Sequence, residues 1–162
     1  MSAWGEFVTQ RSGTAAWIGD AREGFGFVST ESSALQSHPY TVDSRFNGAA
    51  GTSPEELLAA ACASSFTMYL ALLLADAGFT VTHMDTTALA TLQSDQYGFS
   101  ISRLHLVLTA SVPHADNATF QSLATKAKEN CAVSKLLSAK ISLNATLTDQ
   151  QAMAVLDDRL RQ

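Results

Sequence analysis

The sequence predicts an α+β fold in which mainly antiparallel sheets surround a long buried central helix. Three observations predict it: one long apolar segment with helix-terminating signals, several short segments in which apolar and polar residues alternate, and the order of these segments. Strands come in runs with helices inserted between them, rather than in strict strand–helix alternation. That order is typical of α+β proteins.

The central helix is predicted between Ser53 and Gly78. Ser53 is a suitable N-cap, Glu56 follows three residues later to complete a capping box, and Pro54 fits the first helical position. No charged residue occurs from Leu57 to Ala75, and glycine is the usual residue just after a helix. The helix should therefore be about 24 residues and roughly 36 Å long.

This helix is apolar on nearly every face, so we expect it to be covered all round. A chain of 162 residues has limited material for that, which allows a core shared with a second copy of the chain. A membrane span is the competing interpretation, because the uncharged stretch is long enough. Hydroxylated residues within it and acidic residues without Lys or Arg at its ends favour a soluble protein and no membrane partner.

The flanking segments are interpreted from their hydrophobic period. The predicted strands are Thr14–Asp20 and Gly24–Thr30, which form a hairpin, then Tyr40–Phe46, then a second hairpin from Met84–Leu92 and Leu104–Val112, and finally Ile141–Leu147. The predicted helices are one capped by Asp116 or Asn117 and ending near Glu129, a short one at Ala132–Ala139, and a last one from Thr148 or Asp149 to Leu160.

Composition, charge and cysteine count make several classes of partner and cofactor unexpected. Ten Lys and Arg against fifteen Asp and Glu give a net charge of −5, without a basic block, so nucleic acid is not an expected partner. The N-terminus lacks the pattern of a secretory signal, and we expect a cytoplasmic protein. Two cysteines and four scattered histidines offer no metal-ligand spacing, so neither a metal nor another cofactor is expected.

Four segments of the sequence carry a resemblance to a known family. The segments YTVDSRFNGAAGTSPEELLAAACASSFTMYLALLL, GFTVTHMDTTA, LHLVLTASVP and AKENCAVSKLL together resemble the OsmC branch of the OsmC/Ohr organic hydroperoxide reductases. The resemblance extends from Gly13 to about Thr148. It implies a single OsmC-like domain over residues 1–162, with a core at 13–148 and an extra C-terminal helix at 149–162.

The resemblance also implies an intertwined homodimer with an active site at the subunit interface. In the family, a cysteine on the central helix attacks the peroxide and a second cysteine resolves the product as a disulfide, which an external thiol or dithiol reduces. By position in the motifs, the resolving cysteine is Cys131, the activating arginine is Arg45, and the glutamate that orients it is Glu55.

The position of the attacking cysteine differs from the family pattern. Ser65 occupies it, and a serine hydroxyl is neither ionised at neutral pH nor oxidised to a sulfenic acid. Cys62 lies three residues earlier, on the same helix face and about 4.5 Å away along the axis. One hypothesis is that the reactive thiol is displaced by almost one turn, which makes Cys62 the candidate to attack. The alternative is that Cys62 is a small buried apolar residue of an Ala-rich helix.

Three hypotheses remain open at this stage. The first is a thiol peroxidase acting on organic hydroperoxides, with hydrogen peroxide as a further candidate substrate, in oxidative and osmotic stress defence. The second is an OsmC-fold protein without peroxidase turnover, which binds an apolar small molecule or senses oxidation at the interfacial pocket. The third is a cycle in which Cys131 acts alone with an external thiol. A serine hydrolase built on Ser65 is disfavoured, because the sequence has no G-x-S-x-G motif.

Overall fold

The computed structural model describes residues 8–148 and divides the chain into two compact units. The first unit ends at Pro54 and the second begins at Glu55. The single domain over residues 1–162 therefore stays a prediction. The predicted C-terminal helix at 149–162 lies outside the described residues.

The first unit carries a small antiparallel sheet. Its strands are β1 (Gly13–Ile18), β2 (Phe25–Thr30) and β3 (His38–Tyr40), with β2 in the centre. The predicted N-terminal hairpin is confirmed by the pairing of β1 with β2. Aromatic and β-branched residues, which suit a pleated surface, dominate both strands.

The predicted third strand, Tyr40–Phe46, is wrong over most of its length. Only its first residue is in β3, and Val42–Phe46 forms a short helix, α1. Thr41 is the N-cap of α1: its hydroxyl accepts from the Ser44 N–H at 2.8 Å, and its own N–H donates to the Ser44 hydroxyl at 2.9 Å. This reciprocal capping satisfies backbone groups locally and outweighs the strand preference of the alternating sequence.

The central helix begins and ends close to where the sequence predicts. It forms α2 (Pro54–Asp76). Beyond its end, Gly78 has a φ of +86° and donates from its N–H to the Ala75 carbonyl at 2.9 Å. The Phe79 N–H donates to the Leu74 carbonyl at 2.9 Å. Together these two bonds form a Schellman motif, which requires a left-handed residue and therefore favours glycine.

The second unit continues with a mixed sheet and two helices. Its elements are β4 (His83–Asp95), β5 (Gly98–Ser111), α3 (Asn117–Asn130), α4 (Ala132–Leu136) and β6 (Lys140–Leu147). The second hairpin is confirmed by antiparallel pairing of β4 with β5, whereas β6 pairs with β5 in parallel. A parallel neighbour needs a crossover, and the helices α3 and α4 provide it. Asp116 caps α3 by accepting from the Thr119 N–H at 2.9 Å.

The core of the second unit lies where α2, β5 and α3 meet. Its largest fully buried side chains include Phe66, Leu70, Leu106 and Phe120. A hydrogen bond of 2.6 Å between the hydroxyls of Thr67 and Thr86 also joins α2 to β4. By length and composition α2 could cross a membrane, but core helices of soluble proteins meet the same criterion. Its side chains form part of this core, so α2 is the core helix of a soluble fold.

The other side of α2 remains exposed within one chain. Met68 is 65% exposed and Leu72 is 37% exposed, although both are large and apolar. The spacing of four residues places them on one helix face. The described residues of a single chain therefore do not cover α2 all round, as its sequence requires.

Replacement of Gly78 tests the helix terminus. We expect Gly78→Ala to lower the free energy of unfolding by roughly 1–2 kcal/mol, because an L side chain disfavours the left-handed backbone. A Cβ at this position would meet nothing within 4 Å, so no steric clash contributes. Urea denaturation measures the change. Gly78→Asn is the matched control, and we expect a smaller loss because asparagine tolerates this conformation; an equal loss in both variants would contradict the explanation.

Candidate active site

Cys62 lies on the buried side of α2. It precedes Phe66, Leu70 and Leu74 at intervals of four residues, and all four side chains are fully buried. The periodicity of the helix therefore places this thiol in the hydrophobic core rather than on the surface. It is a free cysteine in this structure.

Cys131 lies at the junction of two helices. It is the C-cap of α3 and the N-cap of α4, with an extended backbone at φ −64° and ψ 148°. Its N–H donates to the Ala127 carbonyl at 3.0 Å, and its carbonyl accepts from the Lys135 N–H at 3.1 Å. The predicted helix interruption is confirmed at this residue. The turn directs the second thiol into the same core as Cys62, where it is also fully buried and free.

Ser134 lies next to Cys131 in the core. The Cys131 Sγ–H donates to the Ser134 Oγ at 2.9 Å. Ser134 is only 8% exposed, so this contact is shielded from water. Its hydroxyl is also near enough to Cys62 to influence the pKa of that thiol.

Burial makes the Cys62 thiol a weaker acid than an exposed thiol. Removal from water raises the pKa of its thiol above the ordinary value of 9.0, since the charged thiolate loses its hydration. The negative charge that Cys131 can carry raises this pKa further, whereas the hydrogen bond from Ser134 lowers it. Among the described residues, Cys131 disfavours the thiolate of Cys62 and Ser134 favours it.

Ser65 takes part in the same junction through its hydroxyl. Its Oγ accepts a hydrogen bond from the Val133 N–H at 3.4 Å. Val133 belongs to the first turn of α4, so this contact links α2 to the segment that carries Cys131 and Ser134. Ser65 therefore contacts the helix that follows Cys131, and this contact is with backbone.

Arg45 and Glu55 lie in separate units. Arg45 is in the last turn of α1, and its guanidinium carbon lies 5.1 Å from the centroid of the Phe46 ring. Glu55 lies in the first turn of α2 and is largely buried. A carboxylate there complements the helix dipole. The expectation that these two residues act together on a cysteine stays a prediction.

Sequence reasoning missed one residue of this cluster. Ser134 follows Cys131 by three residues in the predicted short helix, so both side chains fall on the same face. That spacing was the available signal, but serine alone is too common to identify a site. Among residues 8–148, no group of three or more His, Cys, Asp or Glu side chains is placed to hold a metal ion.

Comparison with known proteins identifies the family. The model of the family described as OsmC-like protein matches residues 46–146. The chain is 45% identical to peroxiredoxin OsmC of Escherichia coli strain K12 over 137 residues, which are 85% of this chain and 96% of the relative. The chain belongs to the OsmC-like family. The predicted family resemblance is thereby confirmed.

Solved structures agree on the fold. An OsmC-like protein of unknown function from Vibrio cholerae superposes with a TM-score of 0.68 at 13% identity, over 85% of this chain and 99% of the other. The organic hydroperoxide resistance protein OhrB of Bacillus subtilis gives a TM-score of 0.60 at 20% identity, over 85% and 98%. The predicted OsmC-like α+β fold is confirmed.

The raised pKa of Cys62 predicts how its alkylation depends on pH. Because only the thiolate reacts and the native pKa lies above 9.0, we expect the rate of Cys62 alkylation by iodoacetamide to keep rising as the pH passes through 9.0. Peptide mapping by mass spectrometry would follow Cys62 separately from Cys131. In urea-unfolded protein the same rate should level off at lower pH. Native and unfolded profiles with the same midpoint would contradict the effect of burial.

Proposed function

We propose that the chain is a thiol-dependent peroxidase of OsmC type that reduces organic hydroperoxides, with hydrogen peroxide as a further substrate, in oxidative and osmotic stress defence. The meeting of Cys62, Cys131 and Ser134 in one buried cluster carries the proposal. The family and the 45% identical peroxiredoxin support it. In this proposal the reactive thiol has moved to Cys62, because Ser65 occupies the position of the usual attacking cysteine.

The first chemical step oxidises Cys62. Its thiolate attacks one oxygen of the peroxide, so that an S–O bond forms and the O–O bond breaks. The sulfur is oxidised by two electrons and becomes a sulfenic acid, while the peroxide is reduced to an alkoxide that takes a proton and leaves as the alcohol. With hydrogen peroxide as substrate, the product is water.

The second step joins the two sulfurs in a disulfide. The sulfur of Cys131 attacks the sulfenic sulfur of Cys62, an S–S bond forms, the S–O bond breaks, and water leaves. Both cysteines are free and buried in the same core cluster, which favours this intramolecular reaction over reaction with an outside thiol. An external thiol or dithiol then reduces the disulfide and completes the cycle.

Arg45 and Glu55 complete the proposed site. A guanidinium near the thiolate would stabilise its charge, and a carboxylate would hold the guanidinium in place through a bidentate pair. Because burial opposes ionisation of Cys62, a positive charge near the sulfur would offset part of that penalty. The cation–π contact of Arg45 with Phe46 already restricts one face of its guanidinium.

A second candidate function is oxidation sensing without rapid turnover, or binding of an apolar small molecule at the same interfacial pocket. The burial of both thiols and the raised pKa of Cys62 favour it, because both slow the attack on peroxide. A one-cysteine cycle on Cys131 is the third candidate. The three candidates differ in which cysteine is oxidised, and how quickly.

We propose that the protein is a cytoplasmic homodimer. The exposed apolar face of α2, with Met68 and Leu72, supports a shared core, because a face of this kind is normally covered in solution. A second copy of the chain would supply the cover that the described residues of one chain do not. No nucleic acid and no membrane take part in this proposal.

Loss of either cysteine tests the peroxidase. After one equivalent of cumene hydroperoxide, we expect the wild-type protein to form a Cys62–Cys131 disulfide within seconds, read by quenched mass spectrometry. Cys62→Ser should lose peroxide consumption by at least about a hundredfold, because serine is not oxidised. Cys131→Ser should instead retain one sulfenic acid equivalent on Cys62 and stop before the disulfide.

Matched variants make that experiment specific. Ser64→Ala, at the exposed neighbour of Ser65, should react like the wild type. Arg45→Gln should slow oxidation of Cys62, whereas Arg22→Gln, at an exposed arginine of the first unit, should not. Turnover that survives Cys62→Ser would instead favour the one-cysteine cycle on Cys131. Two unreacted thiols in the wild type after prolonged exposure to hydroperoxide would contradict the peroxidase and favour the sensing or binding protein.

A charge on the exposed face of α2 tests the homodimer. We expect the wild-type protein to be dimeric by light scattering and Met68→Glu to shift it towards monomer, because the substitution buries a carboxylate in an apolar interface. Tyr97→Glu is the matched control, since Tyr97 is 89% exposed in the turn between β4 and β5 and should not affect assembly. A monomeric wild type, or equal dissociation of both variants, would contradict this interface.

A further inference from the structure

The short helix that follows Cys131 depends on α2 for its cap. α4 has five residues, and within the described part of the chain the side chain of its N-cap, Cys131, makes no capping hydrogen bond. The first N–H groups of a helix have no partner inside that helix, so side chains or water must satisfy them. The Val133 N–H is one of these groups, and it donates to the Ser65 Oγ at 3.4 Å. A serine of α2 thus caps α4 from outside that helix.

The neighbouring serine on α2 uses its hydroxyl differently. Ser64 is exposed, and its hydroxyl donates to the Ala61 carbonyl at 3.1 Å, so its bond stays within α2. Such local bonds are common for serine in a helix. The Ser65 hydroxyl is partly buried and bonds to a residue 68 positions further along the chain. Of these two adjacent hydroxyls, the one at Ser65 therefore joins α2 to α4.

This bond adds a fixed position to contacts that are otherwise apolar. Cys131 belongs to the buried core, and Val133 and Leu137 pack against it. Apolar contacts have no preferred direction, whereas a hydrogen bond needs its donor and acceptor at a defined distance and angle. The bond to Ser65 therefore fixes where α4 lies along α2, which apolar packing alone does not.

The anchoring bond lies close to both cysteines in the chain. Ser65 follows Cys62 by three residues, which places the two side chains on one face of α2. Val133 follows Cys131 by two residues. The bond thus connects the two segments that carry the thiols at points next to each thiol. We propose that Ser65 is a positioning residue that holds Cys131 within reach of oxidised Cys62; this inference rests on the proposed peroxidase function.

The disulfide step is the one that needs this anchor. The Cys131 sulfur attacks the sulfenic sulfur of Cys62, an S–S bond forms, and the S–O bond breaks. The proton of the Cys131 thiol leaves with the departing hydroxide as water, so Ser65 neither gains nor loses a proton. A disulfide closes only when its two Cα atoms lie within about 7 Å of each other. An anchored α4 therefore raises the rate of this step through proximity.

The oxidation of Cys62 by peroxide does not need the anchor. That step joins a peroxide oxygen to the sulfur on α2, and the position of α4 does not enter it. Loss of the Ser65 hydroxyl should therefore separate the two steps, which a general loss of packing would not do.

Three measurements on full-length protein test the proposal. Dimedone trapping in a Cys131→Ser background gives the rate at which cumene hydroperoxide forms sulfenic acid on Cys62. Quenched mass spectrometry of the two-cysteine protein gives the rate of disulfide formation. Amide hydrogen exchange, read by nuclear magnetic resonance, follows the Val133 N–H directly. Each compares Ser65→Ala with Ser65→Thr, which keeps the hydroxyl, and with Ser64→Ala, which removes the exposed neighbouring hydroxyl.

We expect Ser65→Ala to slow disulfide formation roughly fivefold, the factor that corresponds to the loss of a typical N-cap. Formation of sulfenic acid should keep its wild-type rate, and the Val133 amide should exchange faster. Ser65→Thr should restore the disulfide rate and the slow exchange at Val133, because its hydroxyl can accept the same hydrogen. Ser64→Ala should change none of the three values.

The outcomes separate this inference from the function on which it rests. A wild-type protein that forms no Cys62–Cys131 disulfide with hydroperoxide would overturn the peroxidase and the positioning role with it. If the wild type forms the disulfide and Ser65→Ala forms it as fast as Ser64→Ala, the role of Ser65 alone is overturned. Equal slowing of both chemical steps, or unchanged exchange at Val133, would overturn it as well.

Discussion

The need to cover α2 is the constraint on which the rest of the second unit depends. This helix has 23 residues, and its interior has no charged side chain to turn towards water. Side chains of β5 and α3 cover one side and form the core with it. On the other side, Met68 and Leu72 are large apolar side chains that residues 8–148 of one chain leave exposed. Fold and proposed assembly thus follow from the same apolar surface.

That constraint also determines the chemistry of the site. A cysteine in the buried stripe of an apolar helix loses the water that would stabilise its thiolate, which explains the raised pKa of Cys62. Reactivity then depends on the few polar groups that enter the core. Ser134 is one of them, and it comes from α4 together with Cys131. The interrupted helix is therefore as important to the site as the helix that it packs against.

The positions of Cys62 and Ser65 on α2 are compatible with their contacts to α4. A thiol at position 62 and a hydroxyl at position 65 lie one turn apart, so both can face α4. The hydroxyl accepts from a backbone N–H of that helix, while the thiol lies near Ser134. The core thus contains a pair of free thiols, and the family membership of the chain supports the function proposed for that pair.

The sequence by itself determined the family, the α+β class, the bounds of α2 and the interruption at Cys131, because capping residues and apolar period act over a few neighbouring residues. It predicted a strand at Val42–Phe46 where the reciprocal caps of Thr41 and Ser44 produce a helix. Only the tertiary structure decided that β6 runs parallel to β5 and that Ser134 comes near enough to Cys62 to influence the pKa of its thiol. Cys62 and Ser134 are distant in sequence, and packing of α4 against α2 brings them together, which no local pattern encodes.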